Sequence, residues 1–350
     1  MTSADRRTLR PGVLLGVAIG AAAAAVLVRK LTAGRRRPAQ QAPPAGACLP
    51  PEAVLVTSPH AGGSRGLAAA LRTMQGHGIR VTAQLDIRRL GELPALTGDG
   101  KTRLVVAAGG DGTVGGVADR LANSAAVLGI LPLGTSNDFA RSLGIPANPQ
   151  QAAALLATGK ISTVDLGRLQ VPGQPARHFA HAATVGMNVS FARLATRASM
   201  RARLGRFTYL AAAASAFRQR STFGCELHHS GQAEKLTLAQ LSVINAPVFG
   251  GALGLSVPGS NPDDRLLDVL AVEDIPARRM LLAALFLLLR ISRPVAGIRA
   301  LHVTSLHVHT EQPLGVALDG QVAANLPGDF DVAGEALRII TPQDFEDIDD

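Results

Sequence analysis

The residues of this chain best placed to do chemistry sit in glycine-rich turns. One turn, Ala107-Ala108-Gly109-Gly110-Asp111-Gly112-Thr113, follows the apolar run Leu104-Val105-Val106. A second, Leu131-Pro132-Leu133-Gly134-Thr135-Ser136-Asn137-Asp138-Phe139-Ala140-Arg141, follows Ala126-Val127-Leu128-Gly129-Ile130. A turn without side chains lets backbone N–H groups approach an anion closely, and a helix starting there adds partial positive charge. Asp111 inside such a turn serves a bare phosphate badly, but it suits a phosphate that carries Mg²⁺. A third turn, Ser58-Pro59-His60-Ala61-Gly62-Gly63, leaves the run Ala53–Thr57. Together the turns read as a nucleoside triphosphate site. The competing reading, tight turns in an unliganded sheet, is weakened because three such turns share one sheet edge.

The elements that position these turns alternate. Strands are expected at Ala53–Thr57, Ile79–Leu85, Leu104–Ala108 and Val127–Ile130, with helices at Leu67–Gln75 and Val114–Leu121. Alternating strands and helices imply a parallel sheet covered on both faces, with its ligand outside the carboxyl ends of the strands. After about residue 160 the texture changes to short β-rich runs, at Ser162–Leu169, His178–Val185, Thr222–His228, Leu236–Asn245, Leu266–Val272, Ser305–Thr310 and Gly315–Leu318. Gly, Pro, Asn and Asp separate them, the pattern of an antiparallel sandwich. Two helical insertions are expected, near Phe191–Gln219 and Ala277–Leu289.

Net charge is +9, but residues 1–37 hold eight Arg/Lys against Asp5, which leaves only +2 for the other 313 residues. The basicity therefore belongs to the N-terminus, and a nucleic-acid-binding body is not expected. Pro11 to Val28 carries no charged or polar side chain. As a helix, Gly12 to Val28 would extend roughly 25 Å, the short end for crossing a bilayer. A membrane anchor, a cleaved secretory signal and a peripheral leader compete for this run. The cationic cluster Arg29, Lys30, Arg35, Arg36 and Arg37 outweighs the one before it, which places the following body in the cytoplasm if the run is an anchor. Cys48 and Cys225 are the only cysteines, so neither a disulfide framework nor a cysteine zinc site is expected. Residues 34–51 read as a Pro/Ala/Arg-rich linker.

In their order and spacing these motifs resemble the bacterial diacylglycerol kinase and lipid kinase family, related to sphingosine kinases, over about residues 52–342. Ser58-Pro59-His60-Ala61-Gly62 resembles the family's first phosphate turn, Gly109 to Thr113 its second, and Pro132 to Arg141 its third. Val164-Asp165-Leu166-Gly167, Gly205 to Tyr209, Asn245 to Gly251, Val257-Pro258-Gly259 and Asp263-Asp264 also fit. The resemblance implies α/β plus β architecture: a Rossmann-like domain with glycine-rich nucleotide loops over 52–160, then an antiparallel β-sandwich domain over 161–342 whose last segment returns to the first. An N-terminal apolar helix with its linker (1–51) and an acidic tail (343–350) complete the expected organisation. ATP is implied as co-substrate, held by Ser58, Pro59, His60, Ala61, Gly62, Gly109, Gly110, Asp111, Gly112, Thr113, Gly134 and Thr135. Asn137 and Asp138 either join them or hold the third turn's shape. A structural Mg²⁺ is implied on Asp264 with the backbone carbonyls of Asn261 and Leu266; an ordinary acidic turn is the alternative. The implied partners are a lipid substrate, diacylglycerol by default, and the membrane surface. A homodimer is left open.

Three departures bear on activity. Leu318-Asp319-Gly320-Gln321 stands where the family has Asp-Gly-Glu, whose Glu is its proposed general base. Gln321 cannot accept a proton at physiological pH, leaving Asp319 or Asp111 as substitutes. Removing a general base typically lowers a rate on the order of 10²–10⁴-fold, so a catalytically impaired binding protein on the same fold is the second expectation. Gly115-Gly116 replaces an Asn-Glu pair and should weaken the helix start by roughly 1 kcal/mol per glycine relative to Ala. Arg265 replaces a Gly after the Asp pair. Outside these motifs, Arg193, Arg197 and Arg201 share one helical face, either solvated or turned to anionic lipid head groups. The apolar run at 280–289 is either core-facing or membrane-docking. His302, His307 and His309 are expected as exposed strand positions rather than a metal site; His307 and His309 share a face with no Cys or carboxylate neighbouring them.

Overall fold

The computed structural model describes residues 52–59, 64–97, 103–186, 222–246, 248–249, 255–256, 265–276, 279 and 295–345. The N-terminal apolar run, the first expected helical insertion with Arg193, Arg197 and Arg201, the second apart from Arg279, the end of the acidic tail, and His60, Ala61, Gly62, Asn261 and Asp264 lie outside these residues.

The first half follows from runs of Val, Leu, Ile and Ala too apolar to face water on either side. β1 (Glu52–Thr57), β3 (Leu104–Gly109) and β4 (Val127–Pro132) are buried almost throughout. They pair in parallel, β1 with β3 and β3 with β4, and β2 (Arg80–Asp86) joins β1 at the edge. The order β2-β1-β3-β4 reverses direction between β1 and β3, and ligands of open α/β sheets bind at such a switch point. Helices α1 (Ser64–Gly76), α2 (Leu93–Thr97), α3 (Asp111–Leu121), α4 (Asp138–Ser142) and α5 (Pro149–Thr158) complete this half. Asn148 caps α5, its Oδ1 accepting from the N–H groups of Gln150 and Gln151. Met74 of α1 and Ala152, Ala153 and Leu156 of α5 are buried with the strands in one apolar core.

The second half is antiparallel. Its strands are β5 (Lys160–Gln170), β6 (Arg177–Phe179), β7 (Ala182–Gly186), β8 (Phe223–His229), β9 (Gln232–Ile244), β10 (Val248–Phe249), β11 (Leu255–Ser256), β12 (Leu267–Glu273), β13 (Ile298–Val303), β14 (Ser305–His309), β15 (Leu314–Leu318), β16 (Gln321–Leu326) and β17 (Gly328–Thr341). A separate core forms between them, including Phe179, Leu241, Val269, Val308, Val316 and Phe330. Phe179 and Phe330 meet edge to face, ring centroids 6.4 Å apart.

β17 is common to both halves. Its first part pairs with β14, its second part pairs in parallel with β4, and β5 runs antiparallel along both. The ladder breaks between Ala333 and Leu337, where Glu335 takes a left-handed φ of 51°. The described residues thus hold a mixed sheet with an antiparallel C-terminal portion, and β10 and β11 pair apart from it.

The run His178–Val185, expected as one strand, is two. β6 and β7 are interrupted at Ala180-His181, for a reason that lies about 140 residues further on. β13, β16 and β17 were not foreseen. His307, expected without a carboxylate neighbour, has one, its Nδ1 2.7 Å from Asp329, and His302 Nδ1 is likewise 2.5 Å from Asp268. Both partners come from adjacent strands distant in sequence, β12 beside β13 and β17 beside β14.

Candidate active site

The sheet places three of the turns side by side. Ser58 and Pro59 follow β1, Gly110 to Thr113 follow β3, and Leu133 to Asn137 follow β4, all at the carboxyl ends of adjacent parallel strands. Leu133 N–H donates to Gly109 O at 2.9 Å, tying the last two together. Gly110 and Gly134 touch backbone to backbone. A Cβ on Gly134 would stand 2.4 Å from the Gly110 Cα, so neither turn admits a larger residue without moving the other. The buried Thr113 lies back over Gly109.

Asn137 holds the third turn from both sides. Its Oδ1 accepts from Gly134 N–H and its Nδ2 donates to Gly134 O, both at 3.0 Å, with its own backbone left-handed at φ 50°. Asn137 is therefore a shape-holding residue. Asp138 is buried with a carboxylate oxygen 3.3 Å from Arg141. Asp111 joins the two turns, its Oδ1 accepting the Phe139 N–H at 3.2 Å. Gly110 is the N-cap of α3 and offers no side-chain cap. Thr113 N–H donates to Gly110 O at 2.8 Å and Val114 N–H to the same oxygen at 3.0 Å, so it is the N–H groups of Asp111 and Gly112 that have no intrahelical acceptor, at the positive end of the helix dipole. That donor set fits a phosphate chain.

Asp319 and Gln321 reach the same place from the other half. β15 and β16 are joined by Asp319-Gly320, with φ of 46° and 82°, and Leu318 pairs with Gln321 across the turn. Two successive left-handed residues are the mark of a two-residue hairpin turn that favours Asp-Gly. Those two positions are thus demanded by the turn. Gln321 follows directly, and its Nε2 donates to Gly112 O at 3.0 Å. This bond fixes the amide with its nitrogen toward the glycine turn.

The Asp319 carboxylate is engaged by the chain itself. One oxygen accepts from Ala180 N–H at 2.8 Å; the other accepts from His181 N–H at 2.8 Å and Ala182 N–H at 3.0 Å. This is what interrupts the strand between β6 and β7. Burial pushes its pKa above the ordinary carboxylate value, against the opposing pull of His181 and the three N–H groups. The side chain also packs on Gly115 of α3, where a Cβ would stand 2.1 Å from Oδ2. Gly115, expected only to weaken the helix, is therefore what admits Asp319. No signal near Gly115 could reveal this, since its neighbour lies 204 positions away.

Behind the turns, Asp165 is buried and accepts from Glu335 N–H at 2.7 Å and Arg265 N–H at 3.2 Å. Asn245 Nδ2 donates to the carbonyls of Asp165 and Ala180, both at 3.1 Å. Arg265 stands at φ 58°, a conformation that suits the glycine expected there. Of the residues expected to hold a structural Mg²⁺, Leu266 is described and Asn261 and Asp264 are not. Among the described residues, no group of three or more His, Cys, Asp and Glu is arranged to hold a metal.

Comparison with known proteins identifies the family. Residues 52–169 match the family model described as the diacylglycerol kinase catalytic domain, and residues 182–341 match the YegS C-terminal NAD kinase beta sandwich-like domain. A protein of Mycobacterium tuberculosis named diacylglycerol kinase is 31% identical over 247 residues, covering 69% of this chain and 78% of its own length. A Pseudomonas fluorescens protein named "Probable lipid kinase YegS-like" is 35% identical over 254 residues, covering 70% and 79% respectively. A crystal structure described as that of a diacylglycerol kinase from Bacillus anthracis str. Sterne superposes with a TM-score of 0.61 at 20% identity, covering 84% of this chain and 98% of that one. At that identity the likeness establishes the fold alone.

Proposed function

The chain belongs to the diacylglycerol kinase and lipid kinase family, and on that premise we propose that it is an ATP-dependent lipid kinase, with diacylglycerol as acceptor and phosphatidic acid as product. The observation that carries the reading is the meeting of two elements at one point: the uncapped glycine turn at Gly110–Thr113 and, 3.0 Å from it, Gln321 of the β15–β16 hairpin. The first belongs where a nucleotide's phosphates lie, the second where the attacking hydroxyl must arrive.

Phosphoryl transfer depends mostly on positioning and electrostatics. In this reading the backbone N–H groups at the start of α3, together with Gly134, Thr135, Ser58 and Pro59, surround the phosphates. Asp111 faces them and keeps the first and third turns in register. Mg²⁺, when bound with ATP, neutralises charge on the transferring phosphoryl group. With Nε2 committed to Gly112 O, the Gln321 Oε1 is the atom available to accept a hydrogen bond from the acceptor hydroxyl. Gln321 therefore orients the nucleophile and does not take its proton; as the O–P bond forms and the bond to the ADP oxygen breaks, the hydroxyl proton passes to an oxygen of the transferred phosphoryl group or to Asp111. Asp319 holds the hairpin rather than the proton. The leader at 12–28 serves to keep the enzyme at the cytoplasmic membrane face, raising its effective concentration near the lipid; among the described residues, no helix is long and apolar enough to cross a membrane.

The test is incubation of the full chain with γ-labelled ATP, Mg²⁺ and a mixed lipid extract. Label should appear in phosphatidic acid. Labelled lipid of another class would revise the acceptor, and no labelled lipid from folded protein would reject the kinase reading.

Gln321 itself supports a second reading, a nucleotide- or lipid-binding protein with impaired catalysis. Gln321→Glu separates the two. A rise from near zero on the order of 10²–10⁴-fold favours the binding protein; little change in an already active enzyme favours the kinase.

A further inference from the structure

Helix α3 is fastened to the antiparallel half along one stripe. Gly112, Gly115 and Asp119 are spaced by three and four residues, so they lie on one face. Gly112 O receives Gln321, Gly115 receives the Asp319 side chain, and Asp119 receives β6. Asp119 does so three times: Oδ2 accepts from Arg177 Nε at 2.9 Å, Oδ1 accepts from His178 N–H at 2.6 Å, and the His178 Nδ1 lies 3.5 Å away. Its side chain is only 8% exposed. The hydrogen bonds of this carboxylate go to β6, and those described for the nucleotide turn and the hairpin do not involve it.

The contacts close into a ring. β6 grips Asp119 through Arg177 and His178. The residues just after β6, Ala180 to Ala182, donate to Asp319. Asp319 in turn packs on Gly115, four residues before Asp119. The rest of α3, with Val114, Val117, Ala118 and Leu121, is buried in the core of the parallel half. The helix is thus held between the two halves, and its N-terminus is the Gly110–Thr113 turn.

We propose that Asp119 is a positioning residue that sets the Gly110–Thr113 turn against the nucleotide by locking α3 to β6. This rests on the kinase reading for the identity of the nucleotide, but the lock itself stands on the contacts above. Burial raises the pKa of Asp119, yet the hydrogen bonds from His178 and the Arg177 charge outweigh it and leave the carboxylate below its ordinary value. It is therefore charged when it holds Arg177.

The test compares Asp119→Asn and Asp119→Ala with the wild-type full chain by amide hydrogen exchange and by titration with an unhydrolysable ATP analogue and Mg²⁺. Asn keeps an acceptor for His178 N–H and loses the charge against Arg177, so it guards against an alanine variant that does not fold. Exchange of the amides of residues 112–119 should quicken by about tenfold in the variants, and the analogue Kd should rise by about tenfold, Asn less than Ala. Arg177→Lys, which keeps the charge, should lie between wild type and Asp119→Asn in both measurements. Unchanged exchange across α3 overturns the proposal. So does an even loss of protection throughout the protein with wild-type analogue affinity in the folded fraction, because that is what a merely structural residue would give. A wild-type protein that takes up no analogue rejects the kinase reading instead, and the exchange comparison then still decides whether the lock exists.

Discussion

Gly115→Ala reverses the usual expectation for a helical glycine. Propensity alone would favour alanine by about 1 kcal/mol. The alanine Cβ, however, would stand 2.1 Å from the Asp319 Oδ2 and 2.6 Å from both its Cβ and Cγ. Rotating the carboxylate does not relieve a clash with its own Cβ, so the hairpin must shift. The three N–H groups of Ala180, His181 and Ala182 then lose their acceptor. Leaving buried polar groups unpaired costs about 1–3 kcal/mol per group. Partial relaxation lowers these figures, and the propensity gain offsets part of the rest. A net loss of about 2–4 kcal/mol is expected. Gly116→Ala is the internal control, since its Cβ would meet only the side-chain ends of Leu90 at 3.1 Å and Ile87 at 3.4 Å. That variant should match wild type or gain up to about 1 kcal/mol. Urea denaturation of all three proteins at one pH reads both effects. A Gly115→Ala protein as stable as wild type, or more so, would refute the reasoning.

Other outcomes follow from the same contacts. Gly134→Ala should keep its fold by circular dichroism and bind an unhydrolysable ATP analogue at least about tenfold more weakly by titration, because the new Cβ pushes on the Gly110 backbone. Arg265→Gly should be neutral or stabilising by up to about 1 kcal/mol in thermal unfolding: it relieves a left-handed backbone worth roughly 1–2 kcal/mol and gives up an exposed ion pair with Glu335 worth about 0–1 kcal/mol. The Asp119 carboxyl has a pKa lowered by folding, so its stabilisation is present above the unfolded value, about 3.9, and is lost as pH falls through the folded value. Unfolding free energies measured between pH 6 and pH 3 should therefore drop less in Asp119→Asn than in wild type.

What the sequence made legible was local. Leu104-Val105-Val106 before Gly109, and Val127 to Ile130 before Gly134, announce strands that end in tight turns, because apolar runs and glycines act over a few residues. The geometry of the site adds contacts that no window could contain. Gln321 reaches Gly112 across 209 positions, and Asp319 ends β6 and begins β7 from 137 to 139 positions away. Gly115 looked like a weak helix position because its partner is on the hairpin. His307 looked isolated because Asp329 arrives by strand pairing. β17 was hidden by its irregular middle at Glu335, although it is the strand that carries the sheet from one half to the other.

The proposed function requires that the glycine-rich sheet edge hold ATP. Calorimetric titration of the full-length wild-type chain with Mg²⁺ and an unhydrolysable ATP analogue measures that directly. Saturable heat with one site per chain, sharply reduced in Gly134→Ala, is the result expected. Folded wild-type protein that yields no binding heat, or Gly134→Ala protein that binds as wild type does, would contradict it.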